Sequence, residues 1–432
     1  MKPAKILAFA LSFLLIFSLL PYCISGPQTW GPSYVITLDP SELQTLAPDH
    51  STRVPELAAA GANDFAFELS AELLRSAGDG NFICSPYSVW LPLAALAGVT
   101  DVAYRPTLQA ALRVSCLNSK DLSYAASSVL YSLTNQREHL DRPSHNPLKT
   151  VHAIFTDDST ILCQDFSQVF LNFYLGSLIQ LNLDSPQAVS AVNQWAAEQS
   201  EGRLSRLVES FPAGTKAALS CGLSFSDRWT QEFNPAKTAP GLFHSPHGDV
   251  PAQFMRREDD HLLYYEDDKL QAVTLPFSSG DGLCILLPKD MEASALLSSL
   301  TNAYFDSLQQ SLQKSQGVLS LPHFSVDCGP MSLKPALSAL GIPLFREEAA
   351  PLTTLLEGEE TWLADVVHNA ILTVNEQGTT AAEVLRPPHE CVPPSAVRSF
   401  TMTCDRPFVF VLYGQLDEGG SQVLFTGVIN AP

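Results

Sequence analysis

The chain has no C-x-x-C pair and no G-x-S-x-G, H-E-x-x-H, G-x-x-x-x-G-K-[ST] or G-x-G-x-x-G, and its ten histidines are scattered singly. These absences remove the usual signs of a zinc site, a serine-hydrolase elbow, a zinc protease and a phosphate cradle. No metal, cofactor or catalytic activity of its own is expected. Cations are scarce too: 25 Lys and Arg against 45 Asp and Glu give a formal charge of −20. So acidic a surface repels phosphate backbones and anionic lipid, which excludes nucleic acid, heparin-like polyanions and acidic membranes as favoured partners. The carboxylate runs Glu258-Asp259-Asp260, Glu266-Asp267-Asp268 and Glu357-Gly358-Glu359-Glu360 read as solvated turns. Charged residues are 16% against 46% hydrophobic, a composition that excludes disorder as the main state.

What is present begins with an address. Lys2 and Lys5 precede an apolar run from Ile6 to Leu20, followed by Pro21 and the small residues Ser25 and Gly26. Residues 1–25 read as a signal peptide. The run is short against the about 20 residues of a spanning helix, so an uncleaved anchor is the minor alternative. No second long apolar run follows, and the expected product is a secreted, extracellular monomer with no membrane attachment after signal removal. Eight cysteines remain: Cys84, Cys116, Cys163, Cys221, Cys284, Cys328, Cys391 and Cys404. An even count in an exported chain permits disulfides. Wide spacing and a chain long enough for a full core favour buried free thiols for most of them.

Prolines at 27, 32, 40, 48 and 55 mark residues 26–60 as a lead-in or linker, and the folded domain is expected over 61–432. Asn63 is a candidate N-cap before Phe65, Leu69 and Leu73 on one helical face. Ser85-Pro86 offers a capping hydroxyl and a first-turn proline to an almost wholly apolar helix, which must be buried on all sides. Further helices are predicted over Ala188–Ser200, ended by Gly202, and over Ser294–Leu312. Strands are predicted at Leu270–Pro276, Leu283–Leu287, Val318–Val326, Ile371–Asn375, Phe408–Tyr413 and Val423–Ile429. Helices early and strands late favour an α+β domain over a regular α/β alternation.

Between the strand-like runs at 371–374 and 406–410 lie about thirty residues, a loop length that in compact domains is usually functional. It opens N-E-Q-G-T-T-A-A. Gly378 can pivot, and the small or β-branched residues after it suit either a crowded strand or a surface turn.

This octet resembles the reactive-loop hinge of the serpins, and the chain from about Asn63 to Pro432 resembles that family segment by segment. The resemblance runs through N-F-I-C-S-P-Y-S at 81–88, A-V-N-Q-W-A-A-E-Q-S-E-G-R-L at 191–204, Trp229, and Leu275-Pro276-Phe277. It continues through L-P-H-F-S-V at 321–326, A-L-G-I at 339–342, V-V-H-N-A at 366–370 and D-R-P-F-V-F at 405–410. Departures are Cys221-Gly222 for Asn-Ala, Phe225-Ser226-Asp227 for Phe-Lys-Gly, and an N-A-P ending. The resemblance implies the serpin fold: three β-sheets surrounded by eight to nine helices, with an exposed reactive-centre loop. It implies a hinge at Glu376, Gly378, Thr379, Thr380, Ala381 and Ala382. It implies shutter and breach residues at Ser85, His368 and Trp229, with His368 a buried hydrogen-bonding group and not a catalytic base.

It also implies a function, that of a protease inhibitor whose loop, once cut by a target serine protease or a cysteine protease, enters the sheet as a new strand. Two features of the loop strain that reading. Strand alternation puts Glu383 on the same face as Thr379 and Ala381, where a buried carboxylate costs several kcal/mol. Pro387-Pro388 withholds two N–H donors from a central strand. Counting seventeen residues from Glu376 places Val392 before the cut, while aligning on Pro393-Pro394 places it at Glu390-Cys391. The reactive-bond candidates are therefore Glu390, Cys391 and Val392, suited to an elastase-like or Glu-specific protease. The alternative is a non-inhibitory member serving in binding or as a protease substrate.

Overall fold

The computed structural model describes residues 34–35, 53–135, 147–345, 352–379, 399–417 and 419–432. The chain runs β1 (Tyr34–Val35), α1 (Val54–Leu74), β2 (Phe82–Cys84), α2 (Pro86–Leu96), α3 (Arg105–Ala111), α4 (Ser119–Asn135), β3 (Leu148–Asp157), α5 (Gln164–Tyr174), β4 (Ser177–Leu181), α6 (Ala188–Gln199) and β5 (Ala217–Phe225). It continues through β6 (Ala239–Ser245), β7 (Gly248–Glu266), β8 (Leu270–Pro276), β9 (Gly282–Pro288), α7 (Ala293–Ser299), α8 (Asn302–Ser311), β10 (Gln313–Pro322), β11 (Phe324–Asp327), β12 (Met331–Ser332) and α9 (Lys334–Ala339). It ends β13 (Leu352–Leu356), β14 (Glu359–Thr361), β15 (Val366–Val374), β16 (Ser399–Thr403), β17 (Phe408–Gln415) and β18 (Ser421–Ile429). Among the described residues nine α-helices surround three sheets, the α+β arrangement expected.

One sheet has the order β1-β4-β3-β5-β15-β11, with β12 also on β15. A second has the order β16-β10-β7-β8-β9-β17-β18-β2, with β6 on β7. The third pairs β13 with β14. In the first sheet β5 and β15 are parallel neighbours, His368 opposite Cys221 and Asn369 opposite Gly222. Helix α2 is buried along its whole length, as its apolar sequence requires, and packs on β3 and β5 of this sheet. The segment after α6 covers the opposite face.

Several elements differ from expectation. The first helix starts at Val54 and not at Asn63, because Pro55 fits a first turn that needs no N–H from it. Asn63 is instead a buried tertiary tie: Nδ2 donates to Ser421 O at 2.8 Å, and Oδ1 accepts from Val423 N at 2.7 Å. The single helix expected over 294–312 is two, since Thr301 Oγ1 accepts from Tyr304 N and starts α8 anew. The run 318–326 breaks at His323 into β10 and β11, which belong to different sheets. Glu258 and Asp259 lie inside β7, not in a turn, and Asp259 forms a buried ion pair with Arg257. Strands β3, β4 and β5 sit among the early helices. Among the described residues all seven cysteines are free, with Cys84, Cys221, Cys284 and Cys404 buried.

Candidate functional site: the seam between β5 and β15

Because side chains alternate along a strand, the β5–β15 ladder presents His368 and Cys221 to one face and Asn369 and Gly222 to the other. On the α2 face, Ser85 N donates to His368 Nε2 at 3.1 Å. An accepting Nε2 in a neutral ring leaves the proton on Nδ1, which faces Ser88 Oγ at 3.5 Å and Cys221 Sγ at 3.9 Å. Burial holds His368 neutral by pushing its pKa down to about 4. One strand further, His152 stands opposite Cys221. Its Nε2 donates to Tyr174 O at 2.9 Å, and burial again lowers its pKa to about 4. Burial pushes the Cys221 thiol upward, so it is an inert neighbour and not a nucleophile. Ser85 occupies the N-cap position of α2, but its hydroxyl makes no cap; among the described residues Oγ has no hydrogen-bond partner. Its contribution to the seam is the backbone N–H.

The ladder between β5 and β15 stops at Leu223 and Ala370, although β5 runs to Phe225 and β15 to Val374. Above this point the chain leaving β15 meets the chain leaving β5. Arg228 and Gly378 form an antiparallel bridge. Trp229 N donates to Gln377 O, and Phe233 N to Glu376 O, both at 2.9 Å. Trp229 Nε1 donates to Asn375 O at 2.9 Å while its ring stacks on Phe277, centroids 4.5 Å apart. Gly378 has φ +150°, and a Cβ there would drive into Asp227 O, so only glycine fits. Thr379 is fully buried. Its N–H donates to Asp227 O at 3.0 Å, and its Oγ1 accepts from Asp227 N at 3.2 Å.

Glu376 fixes the base of this turn. Oε1 accepts from Thr238 Oγ1 at 2.7 Å, and Oε2 lies 2.9 Å from His323 Nε2. Burial alone would raise its pKa, but the Thr238 and His323 partners outweigh burial and hold it below the ordinary value.

The structure thus places the expected residues in two groups. Ser85 and His368 meet behind the lower seam, whereas Trp229 joins Glu376, Gly378 and Thr379 above it. Thr380, Ala381 and Ala382 lie outside the described residues, as do Glu383, Pro387-Pro388 and the reactive-bond candidates Glu390, Cys391 and Val392. Sequence reasoning missed Asp227, whose backbone clamps Thr379 and whose carboxylate accepts from Ser278 Oγ at 2.6 Å and Ser279 N at 2.8 Å. The only signal was its departure from the family's Phe-Lys-Gly.

Comparison with known proteins agrees with this geometry. The family model for serpin (serine protease inhibitor) matches residues 60–432. Alpha-1-antiproteinase of Rattus norvegicus is 26% identical over 409 residues, covering 93% of this chain and 95% of that protein. The thermophilic serpin tengpin in its native state superposes with TM-score 0.78 at 20% identity, covering 92% of this chain and all of the other. Human thyroxine-binding globulin in complex with its ligand superposes with TM-score 0.76 at 19% identity, covering 88% and 99% of the two chains. A family match spanning this much of the sequence makes the chain a member of the serpin family.

Proposed function

We propose that this serpin is exported and traps a serine protease, elastase-like or Glu-specific, by cleavage-triggered loop insertion. The observation that carries the reading is the seam itself: β5 and β15 are parallel neighbours, and the hinge already makes one antiparallel bridge at their upper ends. A strand continuing from Thr379 would run antiparallel to both and add ladder hydrogen bonds on each side. Each is worth roughly 0.5–1.5 kcal/mol net, so a full strand supplies a large driving force. Cleavage frees the loop to enter while the protease is held on it as an acyl-enzyme. The outcome is a race between insertion and deacylation.

Glu383 and Pro387-Pro388 favour a second reading, in which insertion starts but stalls and the protein acts as a binding protein or a protease substrate. The likeness to thyroxine-binding globulin, whose name states a binding role, fits that reading. Denaturing gels after mixing with elastase-like, Glu-specific and trypsin-like proteases separate the two. A covalent adduct supports the trap, and clean cleavage without adduct supports the substrate. The melting temperature of the nicked protein adds a second readout: a large gain marks insertion, and no gain removes the driving force.

A further inference from the structure

The dipeptide Asp-Gly occurs twice in the chain, each time preceded by glycine: Gly78-Asp79-Gly80 and Gly280-Asp281-Gly282. In this dipeptide the backbone amide attacks the preceding side-chain carboxyl with least hindrance, because glycine has no Cβ and lets the chain visit the bent conformation required. The fold treats the two copies in opposite ways. Asp281 is buried, its Oδ1 accepting from Gln415 N at 3.2 Å and its Oδ2 from Ser279 Oγ at 3.0 Å. Gly282 is held in β9 with Tyr413 on one side and Pro276 on the other, so its backbone cannot bend. Asp79 lies in the turn between α1 and β2, and its side chain is 74% exposed. Its Oδ2 is 3.8 Å from His247 Nε2, and a cavity of about 390 Å³ opens beside both. Gly78 already holds φ +62°, and nothing lies within 4 Å of where a Cβ on Gly80 would stand. The turn has room to move.

This turn also fastens the end of the chain. Asn430 Nδ2 donates to Gly80 O at 2.7 Å and to Asp79 O at 3.3 Å. Asn81 Oδ1 accepts from Asn430 N at 2.7 Å and Ala431 N at 2.9 Å, and its Nδ2 donates to Ala431 O at 2.6 Å. We propose that Asp79-Gly80 is a site of spontaneous isoaspartate formation, and that conversion there unfastens this C-terminal clasp. Gly80 N bonds to Asp79 Cγ, the amide proton and the carboxyl hydroxyl leave as water, and a five-membered succinimide remains. Water then cleaves one of its two C–N bonds. Cleavage at Cγ regenerates aspartate, whereas cleavage at the original peptide carbonyl leaves the main chain running through Cβ and Cγ. Water is the one co-reactant, nothing is oxidised, and the mass is unchanged. The rerouted main chain is one carbon longer, and the former Asp79 carbonyl becomes a free carboxylate. Gly80 O and Asn81 are thereby displaced from the partners they hold on Asn430 and Ala431. This inference is independent of loop insertion.

The test incubates the purified full chain for weeks at body temperature in mildly acidic buffer, followed by digestion and fragmentation that distinguishes isoaspartate from aspartate. Isoaspartate is expected to reach at least about tenfold more at 79 than at 281, since a site tied into a ladder reacts only through local unfolding. In the chain unfolded by denaturant the two sites are expected to convert at similar rates. Equal conversion at both sites of the folded chain, or none at 79 while the unfolded chain converts, overturns the proposal. Gly80→Ala, whose methyl group enters open space, is expected to fold as the parent does and to slow conversion at 79 at least about tenfold. An unchanged rate in that variant overturns it as well. Hydrogen exchange reads the clasp: the Asn430 and Ala431 amides should exchange faster in proportion to isoaspartate content, with the β9–β17 ladder unchanged. Aged and fresh samples with equal exchange at 430–431 overturn the unfastening.

Discussion

The two ends of the β5–β15 seam are held by different chemistry. At the lower end the contacts are buried and uncharged, with His368, Ser88 and Cys221 packed behind the ladder. At the upper end the ladder has stopped, and the strands are spanned by the turn at Asn375–Thr379 through its hydrogen bonds, the buried Trp229–Phe277 stack and one partly exposed Glu376–His323 pair. Local opening is cheapest where few ladder bonds resist it, and the β5–β15 ladder ends at Leu223 and Ala370. The difference teaches where the proposed insertion would start: at the top, where Thr379 already bonds to Asp227, with the lower end governing how far the opening travels.

Thr379 offers the largest test of that direction. Its side chain is fully enclosed, and a carboxylate placed there costs several kcal/mol. Thr379→Glu is expected to abolish covalent protease adducts and to remove most of the gain in melting temperature on cleavage. Adducts that persist in this variant would mean that insertion does not begin at the upper end.

Acid attacks the lower end instead. His368 and His152 have folded-state pKa values lowered to about 4 by burial, against about 6.5 in the unfolded chain. The unfolded state therefore takes up protons first as pH falls. Stability is full above about pH 6.5, declines between 6.5 and 4, and levels off below, each histidine contributing on the order of 3 kcal/mol. Denaturant midpoints between pH 7 and 4 measure this decline, and His368→Gln is expected to remove about half of it. A slope unaltered by that substitution would separate the acid response from the seam.

Much of this organisation was legible in the sequence. Helix α2 announced its burial through an unbroken apolar run, and β8, β9, β17 and β18 were readable as short apolar strands. One octet marked the turn at 375–379, and its Gly378 has a geometric reason that the structure supplies. Strand β5 was not, because A-A-L-S-C-G-L-S-F is small and buried on both faces and so lacks the alternation that marks a half-exposed strand. The break before α8 rested on one threonine cap inside a continuous apolar stripe. Asp227 escaped notice because its role depends on chain segments far away in sequence.

A smaller effect is expected at Trp229. Trp229→Phe keeps most of the stack on Phe277 but removes the Nε1 bond to Asn375 O, a loss of about 1 kcal/mol. The intact protein should melt roughly 1–2 °C lower, and the turn at 375–379 should exchange faster without change at the lower seam. If exchange rises equally at Leu219–Leu223, the two ends are one cooperative unit and the comparison fails.

The least perturbing probe leaves the seam untouched. Cys116 is exposed, Cys163 and Cys328 are half-buried, and Cys221 sits behind the lower seam with Cys84 also enclosed. Burial raises Cys328 to about 11 and Cys284 to about 12, so few thiolates exist near neutral pH to react. In a Cys391→Ser background, a thiol reagent at pH 7.5 should modify Cys116 first and leave Cys84, Cys221, Cys284 and Cys404 silent for hours. Because Cys221 lies opposite His368 on the separating strands, its labelling reports opening of the lower end alone. Thiol capture at Cys221 that keeps pace with exchange at Trp229 would show that both ends open together. Capture lagging far behind it is the result expected of a seam that parts from the top.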